Sequence, residues 1–228
     1  RDRSIAALIG SDTEELPAIM AGLVGVYEAQ KVWFEAEPRV AGIAYGYDFP
    51  LTYTLFRVEK RGVKINPDKF KKLSEELGDE YAKLEQEMYT LAGDEFNIGS
   101  PAQLSEVLFT KLELPTTGIK KGKTGYSTGQ AELDKLKGQH PIIELIEKTR
   151  ELAKLKNTYV DTLPLLADSR DRIHTTFNQD VAATGRLSST NPNLQNIPIR
   201  TEQGRRIREA FITDGDKVLV SADYSQFE

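Results

Sequence analysis

Cysteine is absent from the chain, so neither a disulfide nor a thiolate metal site can hold it together, and a reducing compartment suits it. Histidine is scarce as well. Only His140 and His174 occur, far apart and in unlike contexts, which argues against a histidine metal site. No apolar run approaches the roughly 18 residues that suggest a membrane span, and the opening Arg1-Asp2-Arg3-Ser4 lacks the apolar core of a signal peptide. A cytoplasmic protein with no membrane partner is therefore expected, and the start without methionine suggests a piece of something longer. An excess of basic residues is also missing: the formal net charge is −5, so any basic surface has to be a local patch. What the chain does have is length. Its 228 residues leave room for one large domain or two small ones around a sizeable core.

Helix-compatible spacing marks Ala6-Ala7-Leu8-Ile9 and the stretch from Ile19 to Trp33, whereas the Gly- and Tyr-rich Ala41-Gly42-Ile43-Ala44-Tyr45-Gly46-Tyr47 predicts an irregular connector. The pattern sharpens at Asn66-Pro67-Asp68, which reads as an N-cap, a proline at the first helical position and an acid in the first turn. Phe70, Leu73, Leu77, Tyr81, Leu84, Met88 and Leu91 then recur at helical spacing until Gly93, forming the stripe of a long amphipathic helix with a coiled-coil-like seam. Ser100-Pro101-Ala102-Gln103 predicts a capping box at the start of a helix that ends near Leu114-Pro115. A loop rich in Gly, Lys and Thr runs from Thr116 to Thr128, and a short helix is expected from about Gln130 to Lys137. Pro141 opens the partner of the seam, carried by Ile142, Leu145, Ile146, Leu152, Leu155, Tyr159 and Leu163 and closed by Pro164. Two long antiparallel helices with a small insertion between them make an arm. Beyond it, Ile173-His174-Thr175-Thr176-Phe177 and Val218-Leu219-Val220-Ser221 predict strands, the second of them buried, separated by a long irregular segment from Thr184 to Ile199. The fold class expected is α+β, mostly helical.

Four stretches carry candidate chemistry. Gly118-Ile119-Lys120-Lys121-Gly122-Lys123-Thr124 looks like a phosphate-binding P-loop, but only three residues separate its glycines where that motif needs four, and no hydrophobic strand feeds it. It reads better as a flexible basic tip whose Lys120, Lys121 and Lys123 reach a phosphate backbone. Arg150 and Lys154 lie four apart, hence on one helix face, and can straddle successive phosphates; an ordinary solvated face is the plain alternative. From Thr184 to Arg200 the chain crowds hydroxyls, amides and guanidinium groups into a segment poor in apolar residues. Such donors suit the minor groove, where the acceptors are nearly the same for every base pair. Asx-turns at Asn191 and Asn193 would explain parts of that string as a polar loop. Asp223 follows the apolar Val218-Leu219-Val220 run, where a carboxylate either ends a strand or holds Mg²⁺ beside phosphates.

Taken together, Thr184-Gly185-Arg186-Leu187-Ser188-Ser189, Pro192-Asn193-Leu194-Gln195-Asn196-Ile197-Pro198, Gly204-Arg205-Arg206-Ile207-Arg208-x-Ala210-Phe211 and Asp223-Tyr224-Ser225-Gln226-x-Glu228 resemble, in order and spacing, the start of the palm of the family A (DNA polymerase I-like) DNA polymerases. The resemblance extends back through Ala153-Lys154-Leu155-Lys156-x-Thr158-Tyr159, Thr124-Gly125-Tyr126-Ser127-Thr128 and Gly62-Val63-Lys64-Ile65.

That resemblance implies residues 1–54 as the end of an exonuclease-like domain, 55–166 as a two-helix thumb, and 167–228 as the first segment of an antiparallel-sheet palm. It implies Asp223 as the motif A ligand of two Mg²⁺ ions, with the Tyr224 carbonyl as a further metal ligand. Glu228 falls on the steric gate against a ribose 2′-hydroxyl, and Arg200 and Gln226 lie on the side of the incoming dNTP. Arg186, Asn193, Gln195 and Asn196 match positions that contact primer-template DNA, and Lys154 matches a thumb lysine on the duplex backbone. In the register that fits best, the third proofreading motif falls on Val24-Gly25-Val26-Tyr27-Glu28 without its tyrosine and aspartate, which implies a vestigial exonuclease end. The family's fingers and motif C aspartate follow motif A, so the expected partner is a C-terminal polymerase half and the fragment alone is expected to be inactive. In a bacterium the location implied is the nucleoid. A DNA-binding or scaffolding module without catalysis is the second reading, and a nucleotide-hydrolysing switch the third.

Overall fold

The computed structural model describes residues 9–10, 15–122 and 125–225, which fall into two compact units, one within residues 1–60 and 179–187 and the other within 61–178 and 188–228. No helix among the described residues is long and apolar enough to cross a membrane.

The first unit is helical. Helix α1 (Leu16–Ala36) is followed by α2 (Pro38–Ile43), a wide π-helical turn over Ala44–Asp48, and α3 (Phe49–Arg61). The irregular connector expected at Ala41 to Tyr47 is therefore helix. Its glycines are outweighed by rings that close on one another across the turn: Phe34 lies 5.4 Å from Tyr45, and Tyr45 lies 5.2 Å from Phe49. Thr52 donates to Gln179 Oε1 at 3.0 Å, and Gln179 Nε2 donates to the Asp48 carbonyl at 2.9 Å, fastening residues 179–187 to this unit.

The second unit hangs on a helix pair. Helix α4 (Pro67–Ala92) starts where Asn66 accepts a hydrogen bond from the Lys69 amide and stops at Gly93, whose φ is 71°. Helix α5 (Pro101–Glu106) runs into a π turn at Val107–Lys111. Only half of its capping box forms. Ser100 accepts from the Gln103 amide at 3.4 Å, but the Gln103 side chain accepts from the Asn97 amide instead of closing back on Ser100. The basic tip is a hairpin, β2 (Lys121–Gly122) paired with β3 (Gly125–Tyr126), and Lys121 stands over the Tyr126 ring at 5.3 Å. A short helix α6 (Gln130–Leu133) with a 3₁₀ turn leads to α7 (Ile142–Leu155), extended by a π turn over Lys156–Val160.

Helices α4 and α7 run antiparallel, as the seam predicts: Leu73 and Leu77 share one core with Leu152, Leu155 and Tyr159, while Met88 shares a second with Ile142 and Ile146. Each such fully buried side chain contributes roughly 1.5–3 kcal/mol. Between the helices, Lys156 Nζ meets Ser74 Oγ at 2.7 Å and Asp161 Oδ2 at 2.7 Å. Partial burial pulls the Asp161 carboxyl upward, but the hydrogen bonds from Lys156 and Ser74 outweigh it and hold the group below the usual carboxylate range.

The sheet departs from the sequence reading. Strand β1 (Val63–Ile65), hidden in a three-residue run, is the centre of an antiparallel sheet flanked by β4 (Arg172–Ile173) and β7 (Phe211–Ile212), with Val63 opposite Ile173 and Ile65 opposite Phe211. The single strand expected over Ile173 to Phe177 splits, because β5 (Thr176–Asn178) pairs with β6 (Ser188–Thr190) in a separate ladder. The segment from Thr184 to Ile199 is thus not irregular throughout. Val218-Leu219-Val220-Ser221 is not a buried strand: it joins no ladder among the described residues, and its three apolar side chains are 66–84% exposed. An apolar β-branched run needs a partner strand before it counts as sheet.

A turn at Asp168 and the helix before β7 border the sheet. Asp168 Oδ1 accepts from the Arg172 amide at 2.9 Å and the Arg170 amide at 2.8 Å, and these bonds, with the His174 contact, hold its carboxyl far below the usual range. Helix α8 (Glu202–Glu209), capped by Thr201, packs with Gly204 so close to Pro198 that an added Cβ would lie 2.6 Å from the Pro198 carbonyl oxygen. Gly204→Ala is therefore expected to destabilise the unit by about 1–3 kcal/mol. Gly78→Ala, on α4 where a Cβ meets only Lys156 Cε at 3.8 Å, is expected to stabilise it by about 0.5–1 kcal/mol. Urea unfolding of both variants measures the contrast, and equal shifts would show that the Pro198 contact has no cost.

Candidate nucleic-acid interface

Helical spacing places Arg150 and Lys154 on one face of α7, but the two side chains have different tasks. Arg150 is half-buried and turns inward, its NH1 donating to the Thr128 carbonyl at 2.5 Å and its NH2 to Thr128 Oγ1 at 3.3 Å. Burial lowers the pKa of its guanidinium. It fastens the loop before α6 to α7, whereas the sequence expectation sets it beside Lys154 on successive phosphates. Lys154 is exposed at the rim of a recess of about 450 Å³, formed with Thr158, Tyr159, Leu163, Pro192, Asn193 and Asn196.

The far wall of that recess is the polar loop. Asn191 sits at φ 54° before a cis peptide to Pro192. Asn193 Oδ1 accepts from the Gln195 amide at 3.1 Å, the Asx-turn that the sequence allows, and also from Ser189 Oγ at 3.1 Å. Tyr159 donates its hydroxyl to the Asn196 carbonyl at 2.7 Å, and Thr175 Oγ1 lies 2.7 Å from the Pro192 carbonyl and 3.1 Å from that of Thr190. Leu194 and Ile197 face the core beneath. With its backbone pinned to buried hydroxyls and its apolar residues turned down, the loop leaves Asn193, Gln195 and Asn196 exposed. A cation on one wall and amides on the other can address a polyanion and the donors and acceptors beside it.

The structure brings Lys154, Asn193 and Asn196 into one recess, with Gln195 on the same loop. Arg200 is exposed shortly after it. Arg186 belongs to the first unit. Lys120 and Lys121 are exposed at the hairpin, next to Ile119 and Tyr126 of the second core, and do not line the recess. Asp223 and Tyr224 lie on the exposed segment that follows Val220. Lys123, Gln226 and Glu228 lie outside the described residues. Among the described residues no group of three or more His, Asp or Glu side chains is placed to hold a metal ion. Sequence reasoning missed Thr175 and the Tyr159 hydroxyl as supports of the loop. Tyr159 was legible only as part of the apolar stripe, and Thr175 only as one member of a β-rich run.

Residues 67–228 match DNA polymerase family A. The chain is 50% identical over 192 residues to DNA polymerase I of Synechocystis sp., which covers 84% of this chain and 20% of that protein. It is 48% identical over 196 residues to the thermostable DNA polymerase I of Thermus thermophilus, covering 85% of this chain and 23% of that one. The chain thus spans between a fifth and a quarter of the length of these curated relatives. Among solved structures it is similar to the POL domain of Pol1 from M. smegmatis in complex with DNA primer-template and dNTP, with a TM-score of 0.77, 36% identity, and coverage of 93% of this chain and 38% of that one.

The different tasks of Arg150 and Lys154 have a direct test. Arg150→Ala strands the partly buried Thr128 acceptors and is expected to cost about 1–3 kcal/mol in urea unfolding, whereas Lys154→Ala is expected to stay within about 0.5 kcal/mol of the parent. Equal effects would place the two side chains in equivalent surroundings.

Proposed function

The chain belongs to DNA polymerase family A, and from that premise we propose that it is the part of a template-directed DNA polymerase that grips primer-template DNA and supplies one anchor of the site for nucleotidyl transfer. The observation that carries this reading is the recess in which Lys154 of α7 shares one concavity with Asn193 and Asn196 of the polar loop. Phosphate contacts from a lysine give affinity without choosing sequence, and amides at the minor groove test the shape of a pair while tolerating any of the four. A polymerase has to hold every sequence equally and still reject a misshapen terminus, so it needs both.

In this reading residues 1–54 are the end of an exonuclease-like domain, 55–166 the thumb and 167–228 the first segment of the palm. Arg186 and Gln195 join Asn193 and Asn196 on the primer-template. Lys120, Lys121 and Lys123 meet phosphates further along the duplex. Arg150 serves the thumb from inside, through Thr128. Arg200 and Gln226 lie beside the incoming dNTP, and Glu228 excludes a ribose 2′-hydroxyl. The protein works in the cytoplasm, at the nucleoid if the source is bacterial.

Mg²⁺ fits the donors present as a partial set. The Asp223 carboxylate and the Tyr224 carbonyl are hard oxygen ligands, and Mg²⁺ typically takes one or two carboxylates and completes its shell with water and substrate phosphates. When bound, the ion polarises the phosphoryl oxygens and favours ionisation of the attacking hydroxyl. Two-metal chemistry takes a second carboxylate, which a C-terminal half with fingers and motif C supplies. The exposed setting of Asp223, with no acidic group of three around it among the described residues, equally suits a second reading, a DNA-binding or scaffolding module without catalysis.

Two measurements separate these readings. Lys154→Ala is expected to weaken duplex binding evenly across sequences and to reduce the slope of log Kd against log salt by about 1. An unchanged slope would remove Lys154 from the duplex. Mixed with a family A segment that carries the fingers and motif C, the chain is expected to extend a primer in Mg²⁺, with Asp223→Ala abolishing extension and the chain alone remaining silent. A mixture as silent with the parent chain as with the variant would leave the binding module as the function.

A further inference from the structure

Three buried hydroxyls hold the polar loop, and they differ in what else they touch. Tyr159 lines the recess itself, and Ser189 Oγ contacts the Asn193 side chain directly, at 3.1 Å. Thr175 does neither. It lies between β4 and β5, is 6% exposed, and reaches the loop only through backbone carbonyls, those of Pro192 at 2.7 Å and Thr190 at 3.1 Å. Its single hydroxyl proton is taken by the nearer carbonyl or shared between the two. Those carbonyls belong to the chain just before Asn193, and Tyr159 holds the carbonyl of Asn196 just after Gln195. The exposed amides therefore project from a short span tied at both ends.

We propose that Thr175 is a positioning residue for duplex recognition, setting through Pro192 and Thr190 the height at which the Asn193, Gln195 and Asn196 amides meet the minor groove. The inference rests on the reading of the recess as a duplex-binding surface and assigns to a buried residue, out of reach of any DNA, part of the control over how closely a base pair is checked. Lys154 stands on α7 and does not depend on this tie, so the phosphate contact and the groove contact respond separately to a change at residue 175.

Thr175→Val keeps the side-chain shape and removes the donor, whereas Thr175→Ser keeps the donor. Each variant of the full 228-residue chain is measured for binding to a primer-template duplex and to the same duplex carrying 3-deazapurines near the primer end, which lack the minor-groove N3 acceptor. The parent chain is expected to prefer the natural duplex. Thr175→Val is expected to lose about fivefold in affinity for it, the worth of one net hydrogen bond. It should bind the 3-deaza duplex as the parent does and keep the parent's salt slope, while Thr175→Ser behaves as the parent. A general loosening of the fold would weaken both duplexes alike. Equal losses on the two duplexes, an undiminished preference in Thr175→Val, or a serine variant no better than valine would overturn the positioning role. A parent chain with no salt-dependent affinity for primer-template would instead overturn the proposed function, and the positioning role with it.

Discussion

Tyr159 joins two kinds of order that the rest of the second unit depends on. Its ring belongs to the apolar core in which Leu73 and Leu77 of α4 meet Leu152 and Leu155 of α7, and its hydroxyl holds the Asn196 carbonyl. Hydrophobic packing alone would fix the helices and leave a polar loop to solvent. Hydrogen bonding alone would leave the loop tied to nothing rigid. One side chain with an apolar body and a polar tip serves both, and the loop inherits the stiffness of the helix pair.

The electrostatics follow the same economy. The chain is acidic as a whole, so attraction to a polyanion depends on where its cations stand. Many are engaged internally: Arg150 with Thr128, Lys156 with Asp161 and Ser74, Arg206 with Glu76, and Arg172 and Lys64 with Asp214. Lys154 differs because its α7 position is exposed at a concavity already lined with amides. Surface cations are common, and the placement of this one beside groups of another chemistry is what gives it meaning.

Much of the helical half was legible in the sequence because its signals are local. The Asn66 cap, the stripe from Phe70 to Leu91 and the Gly93 stop lie within one run of residues, and the helix observed is Pro67–Ala92. The strands were legible only in part, as the run from Ile173 to Phe177 that splits into β4 and β5. Three residues such as Val63–Ile65 carry no readable period, and what makes them sheet is Ile173 and Phe211, far along the chain. The converse error occurred at Val218 to Ser221, where composition favours a strand and no ladder forms among the described residues. For the site, residue types and order pointed to the polar loop, but spacing could not separate Arg150 from Lys154. That difference depends on Thr128, which reaches α7 only once the chain has folded.

The sheet order also bears on how the protein is made. The core around Met88, Leu104, Leu108, Leu133 and Ile146 is assembled entirely from residues 88–146, so it can close while the ribosome is still adding the remainder. Strand β1 is synthesised before that core yet sits at the centre of β4-β1-β7, and it must wait for Phe211 and Ile212 to cover its second edge. Until then its unpaired amides and carbonyls are open to any extended chain nearby. The loop that carries the amides emerges in this same interval, after β4 and before β7, so the recess it shares with α7 forms only after the helical core that precedes it.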